Sequence, residues 1–495
     1  MNRRLIVVLV LSAVVLVLVS LSGCHQATPS PQSPYAPALK PAFRTELETL
    51  EGMPRYDLDF HVSPEKGWLE GKEKLVYSHR EPGNWHALYF RLYPNLSRYG
   101  GAMDVNGTLV NGTPVPVAYE AHRTALRVPI PETLPPNQKV SVEIKYTLKW
   151  PSRKEGAYTE FGESGGVLML PEAYPILAVP KATDSSDPKW NLEMPAPWGD
   201  VLFSQSALYK ARITVPGKMV IAASGTEITR TLSGPSATSV WVTGPAREFA
   251  IIMSPSFKTY TTEAYGTRVT SYFLPQDESA GRIAAEYSAA ALRIYSDKIV
   301  PYPFTDFRVV EGPLTYHGME YPEMNALGFG LYRRQRYSLE FLIAHEVGHQ
   351  WWYNMVGNDQ IRYPWLDEGL TEFNTVLYYE AIYGKHGIPS SDYLIKNRWL
   401  APYKLLVARG GDSSLDKPTT EYKQSDYEVL AYAKAALFFN AIREEIGEKA
   451  YDEFLKVYAD RMRWKISTPD YLLSAVEESS QHNVKPLYDK WILGR

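Results

Sequence analysis

Through the first half of the chain, hydrophobic and polar positions alternate with a period of two. Tyr56, Leu58, Phe60 and Val62 alternate with Asp57, Asp59 and His61, and Val142, Ile144, Tyr146, Leu148 and Trp150 alternate with Ser141, Glu143, Lys145, Thr147 and Lys149. Tyr209, Ala211, Ile213 and Val215 repeat the pattern against Lys210, Arg212 and Thr214. Successive side chains of a strand point to opposite faces, so each run predicts a strand with one buried and one wet face. Turn signals at Glu81-Pro82-Gly83 and Val215-Pro216-Gly217 separate the runs. Residues 45–260 are therefore read as an all-β domain. The period then changes. Glu278 to Lys298 carries Ala, Leu and Ile at helical spacing, and helical periods dominate from Tyr337 onward. Between Lys434 and Gly447, Leu437, Phe438, Ala441 and Ile446 form an apolar face, and Gly447 supplies a stop. Residues 261–495 are read as a second, mainly α domain, so the fold class is α+β multidomain.

The start of the chain follows different rules. Met1-Asn2-Arg3-Arg4 is short and positive, Leu5 to Leu21 is an almost unbroken aliphatic run, and Leu21-Ser22-Gly23-Cys24 follows. This resembles the lipobox of bacterial lipoproteins, which implies a signal peptide over residues 1–23 and acyl chains on Cys24. The alternative reading of the run is an uncleaved membrane helix. Residues 24–44, rich in Pro, Ser and Gln, are read as an extended tether. The expected location is extracytoplasmic, with the chain held on a bacterial membrane through acylated Cys24.

Composition narrows the chemistry. A formal charge of -3 over 495 residues offers no basic field for phosphates, so no nucleic-acid role is expected. The single cysteine excludes an intramolecular disulfide and any zinc site built on paired thiolates. A metal site here must use His and carboxylate ligands. His345-Glu346-Val347-Gly348-His349 supplies them, because histidines four apart lie one above the other on a helix face and both imidazoles reach one ion. Glu346 then stands beside the metal, where a carboxylate can take a proton from water. After eighteen intervening residues comes Glu368, in Trp365-Leu366-Asp367-Glu368-Gly369-Leu370-Thr371-Glu372. Two histidines and one glutamate leave a fourth position open, the arrangement of a catalytic zinc. Glu372 reads either as support for this site or as a helix surface charge. Trp351 and Trp352 are expected to pack the active-site helix against its neighbours.

Taken together, these motifs resemble the aminopeptidase N and leukotriene hydrolase family of zinc metallopeptidases, the gluzincins. His317-Gly318-Met319-Glu320-Tyr321 is similar to the family's Gly-x-Met-Glu-Asn segment, and Tyr432-Ala433-Lys434-Ala435 to its Tyr-x-Lys-Gly motif. The resemblance covers nearly all of residues 45 to 495. It implies a saddle-like β-sandwich followed by a thermolysin-like catalytic domain with one Zn2+ per chain. It further implies that His345, His349 and Glu368 hold the metal, that Glu346 is the general base, and that Tyr432 hydrogen-bonds the tetrahedral intermediate. Glu320 would pair with the free α-amine of a peptide, beside Gly318 and Met319, which makes the enzyme an aminopeptidase acting on peptides outside the cytoplasm.

The chain departs from the pattern in three places. His317 and Tyr321 replace Gly and Asn, which adds bulk near the substrate backbone. The family's second amine-binding residue, from the β domain, is matched only by Glu172. Many relatives continue into a large helical domain where this chain ends at Arg495, implying a more open cleft. Two alternatives stay open: a zinc endopeptidase or other zinc hydrolase, and a surface binding lipoprotein with an idle metal site. The sequence assigns no oligomeric state.

Overall fold

The computed structural model describes residues 33–181 and 189–495. The signal peptide at residues 1–23, the acylation site Cys24 and the first part of the tether lie outside the described residues. Pro34–Arg495 forms one compact unit.

The alternating runs form an eight-stranded sheet. Its central strand, Arg55–Ser63, pairs in parallel with Ala207–Pro216, placing Leu58 opposite Ala211, and antiparallel with Trp68–Ser78. Lys139–Lys149 continues the sheet beyond Trp68–Ser78. Along Arg55–Ser63 the even-numbered residues are buried, as the alternation requires. Their side chains share one core with Trp85, Leu88 and Phe90 of a four-stranded sheet. The stretch expected as a tether does not stay extended at its described end. Ala38 and Leu39 are fully buried, Lys40 N donates to Pro303 O at 2.9 Å, and Leu39 forms an antiparallel bridge with Phe304. Its apolar residues, Tyr35, Ala36, Ala38 and Leu39, supply enough buried surface to fix it.

The helical half contains a five-stranded sheet that the periodicity did not announce. Thr267–Phe273, Asp306–Gly312 and Met324–Gly328 run parallel, and the short edge strand Gly318–Met319 pairs antiparallel with Met324–Gly328. Asp306–Gly312 and Met324–Gly328 are buried at every residue, so no polar face marks them as strands. Helix α1, Glu278–Lys298, crosses between the first two parallel strands and packs on the sheet. Helix α2, Arg336–Gly348, carries the His-Glu-x-x-His motif, and helix α3, Pro364–Tyr383, carries Glu368. Pro364 is preorganised for the first turn of α3, where no N–H is needed. Every residue from Pro364 to Tyr379 is buried, so α3 is the central rod of this half. Helix α4, Ala435–Ile446, packs across it and ends at Gly447, whose φ of 81° suits a residue without a side chain. Contact is close because position 369 is glycine: a Cβ there would lie 2.4 Å from Ala435 Cβ.

Candidate metal centre

Helices α2 and α3 bring His345, His349 and Glu368 to one point, with their ligand atoms all within 4.8 Å of one another. The two Nε2 atoms stand 3.1 Å apart, and each lies 3.3 Å from Glu368 Oε2. A tetrahedral ion with bonds of roughly 2.0–2.2 Å would separate its ligands by about 3.3 Å, so the triangle has the right size. Glu368 Oε2 is buried and accepts no hydrogen bond, an oxygen aimed at a cation. The donor set of two imidazoles and one carboxylate fits zinc.

The surroundings hold both imidazoles in the required orientation. His349 Nδ1 donates to Trp352 O at 2.9 Å, which turns Nε2 toward the metal position. His345 Nδ1 lies 3.0 Å from Glu372 Oε2, and Glu372 Oε1 accepts from Arg398 Nε at 2.7 Å and Trp399 Nε1 at 2.8 Å. Glu372 is therefore a buried support for His345 rather than a surface charge. Trp351 and Trp352 are both buried, Trp351 donating to Val300 O at 2.8 Å and Trp352 stacking on Tyr458.

Charges are strongly coupled here. Burial opposes a charged imidazole, but hydrogen bonding with Glu368 and Glu372 outweighs it and lifts His345 to about 9. Burial also works against ionised Glu368, yet the two imidazoles beside it pull it well below the usual carboxylate range. Glu346 is pushed up to about 8, mainly by burial.

The chain around the edge strand sets the general base. A Cβ at Gly318 would lie 2.1 Å from Glu346 Oε1, so this glycine is what lets the Glu346 carboxylate stand against the strand. Glu320, at the strand's end, is buried and accepts from Gln360 Nε2 at 3.5 Å, and Gln360 also donates to Asp367 Oδ2 at 2.8 Å. Gln350, one residue beyond His349, ties the segment to the metal helix: its Oε1 accepts from Glu323 N at 2.8 Å and its Nε2 donates to Tyr321 O at 3.2 Å. Tyr432 OH donates to Glu368 Oε1 at 2.6 Å, and its ring stacks near His345.

His345, His349, Glu368, Glu346, Glu320 and Tyr432 line a cavity of about 510 Å³, together with Gly318, Met319 and the exposed His317. Two expectations are corrected. Tyr321 adds no bulk to the cavity; its side chain is buried in a separate apolar cluster with Met324 and Phe329. Glu172 does not line the cavity either. It sits at φ 44° and accepts from Tyr99 OH at 3.2 Å, among buried Glu160 and Glu248. The carboxylate that the β-rich half does contribute to the cavity is Asp200, from the irregular stretch Trp198-Gly199-Asp200. Burial raises its pKa well above the usual range, reinforced by Glu320 and Glu368. No periodicity or motif marks this loop, so sequence reasoning had no signal for it.

Comparison with known proteins agrees with this geometry. Residues 284–491 match the peptidase family M1 domain. Aminopeptidase M1-A of Oryza sativa subsp. japonica is 23% identical over 246 residues, covering 47% of this chain and 27% of that protein. The chain thus spans about a quarter to a third of the length of the curated relatives it matches. The M1 zinc metallopeptidase from Deinococcus radiodurans superposes with a TM-score of 0.68 at 20% identity, over 90% of this chain and 93% of that one. The same fold is found in a mutant of that protein bound to a Tyr-Ser-Ala substrate, with a TM-score of 0.66 at 20% identity over 90% and 94%.

Proposed function

We propose, from the premise that this chain carries a peptidase family M1 domain at residues 284–491, that it is a zinc-dependent aminopeptidase removing N-terminal residues from peptides. The observation that carries the reading is the triangle of His345, His349 and Glu368 with Glu346 and Glu320 lining the same cavity. When bound, zinc supplies Lewis-acid polarisation of the scissile carbonyl and activation of water. The chain's own residues do the rest. Glu346, whose buried carboxylate has a raised proton affinity, takes the proton of the attacking water and returns it to the leaving amine. Tyr432 donates a hydrogen bond from its hydroxyl to the carbonyl oxygen as charge develops there, keeping its proton. Glu320, with Asp367 and Asp200 nearby, meets the substrate's α-ammonium; Gly318 and Met319 line the peptide's path.

Several names on related proteins support this reading, including the aminopeptidases of rice and the tripeptide-bound metallopeptidase of Deinococcus. The proposed organisation is a signal peptide over 1–23, a linking segment over 24–44 whose part from Tyr35 to Lys40 packs into the fold, a β-rich domain over 45–260 and a catalytic domain over 261–495. Anchoring to a bacterial membrane outside the cytoplasm rests on the sequence around Cys24 alone. Among the described residues, no helix is long and apolar enough to cross a membrane.

The test compares peptides with free and acetylated amino termini, using Glu346→Gln as the control. The reading expects cleavage of the free peptides only, abolished in the variant. Cleavage of both forms favours an endopeptidase, and no metal-dependent cleavage of any peptide favours a binding protein.

A further inference from the structure

The cavity is lined by the carboxylates of Asp200, Glu320, Glu346, Glu368, Glu372 and Glu428. Of these, Glu320 accepts from Gln360 Nε2 at 3.5 Å. Arg398 is joined to the metal-site residue His345 through Glu372, which lies 3.0 Å from His345 Nδ1 and accepts from Arg398 Nε at 2.7 Å. Among the described residues it is the one Lys or Arg lining the cavity. Its guanidinium lies 3.8 Å above the Phe341 ring centroid, and its Nε is spent on Glu372. No protein group among the described residues hydrogen-bonds its Nη1 or Nη2. The side chain is 42% exposed and lines the cavity. Arg398 sits on a π-helical turn, Ile395–Leu400, that packs against a second such turn, Val429–Lys434, which carries Tyr432. Such turns are rare and concentrate at functional sites.

A guanidinium that already gives one edge to a carboxylate and stacks on an aromatic ring is fixed in direction, and its remaining fork suits a second carboxylate. Only one imidazole and one carboxylate separate it from the metal position. An extended peptide advances about 3.5 Å per residue, so a chain end one or two residues past the scissile bond reaches it. We infer that Arg398 binds the C-terminal carboxylate of the substrate, making dipeptides and tripeptides with a free C-terminus the preferred class. The inference rests on the aminopeptidase reading, which places the α-ammonium at Glu320. A short zwitterionic peptide then spans the cavity with each terminal charge met by its opposite, and longer peptides lose the second contact.

The test measures kcat/KM of the full chain on Ala-Ala-Ala, its C-terminal amide and its N-acetyl derivative, for the wild type and Arg398→Gln. Because Arg398 also supports Glu372, the readout is the acid-to-amide ratio rather than the absolute rate. The expected ratio is about ten in the wild type, a single partly exposed charge pair, and about one in the variant, with Arg398→Lys between them. A wild-type ratio near one overturns the inference, as does a ratio that survives Arg398→Gln. Cleavage of the N-acetyl peptide, or of none of the three, would instead sink the aminopeptidase reading and this inference with it.

Discussion

At Gly318 the missing side chain decides where the general base stands. The atom a Cβ would strike is the far end of the Glu346 side chain, which can swing away without unfolding anything. Gly318→Ala is therefore expected to melt like the wild type and to lose kcat by about 100-fold, because the base is displaced by roughly an ångström. Parallel thermal melts and steady-state kinetics check this, and a kcat within threefold of wild type contradicts it. Glu73 presents a different problem. It is fully buried in the core of the eight-stranded sheet, neither oxygen has a hydrogen-bond partner, and burial raises its pKa well above the usual range. A carboxyl whose folded pKa is raised destabilises the fold as pH climbs, since the unfolded chain ionises near 4.5 and the folded one does not. Glu73→Leu should add about 1–3 kcal/mol, more at pH 8 than at pH 5, as read by denaturant unfolding at both pH values. The ligands and Glu346 were legible because their spacing is itself the chemistry. Asp200 and Arg398 were not, since each acquires its meaning only from what the fold sets opposite it.

At the level of elements, the site depends on how closely α3 and α4 approach. Glu368 and Gly369 are neighbours, so the residue that permits the close contact with Ala435 adjoins the metal ligand, and Tyr432 lies on the turn leading into α4. Gly369→Val should push the helices apart, cost about 1–3 kcal/mol through overpacking, and separate Glu368 from Tyr432. A chelator competition assay should then show weaker zinc binding; unchanged affinity would mean that α3 absorbs the strain elsewhere. Helices α1 and α4 were readable from their periodicity, α1 down to its limits at Glu278 and Lys298, whereas α3, buried from Pro364 to Tyr379, was marked by the spacing of Glu368 from the His-Glu-x-x-His motif. The strands Asp306–Gly312 and Met324–Gly328 were not, because burial on both faces erases the period-two signal that exposed the strands of the β-rich half.

At the scale of the whole molecule, the two halves meet behind the metal helix. The buried Arg247 guanidinium donates to Tyr353 O at 3.1 Å and Ser204 O at 3.3 Å, joining the β-rich half to the turn that follows His349. No sequence pattern links residues 204, 247 and 353; only the fold does. The proposed anchor belongs to this scale too. Cys24→Ser should move the protein from the membrane fraction to the soluble fraction of the host, followed by fractionation and immunoblotting, and persistence in the membrane would favour an uncleaved helix instead. The central claim is that one zinc ion on His345, His349 and Glu368, served by Glu346, cleaves peptides. The measurement that tests it most directly is a zinc titration of the metal-free chain, followed simultaneously by bound metal and by cleavage of a free-amine peptide. The account predicts activity that rises to one equivalent and stops, with Glu346→Gln binding the same equivalent and cleaving nothing. Cleavage without metal, or an active Glu346→Gln, would contradict it.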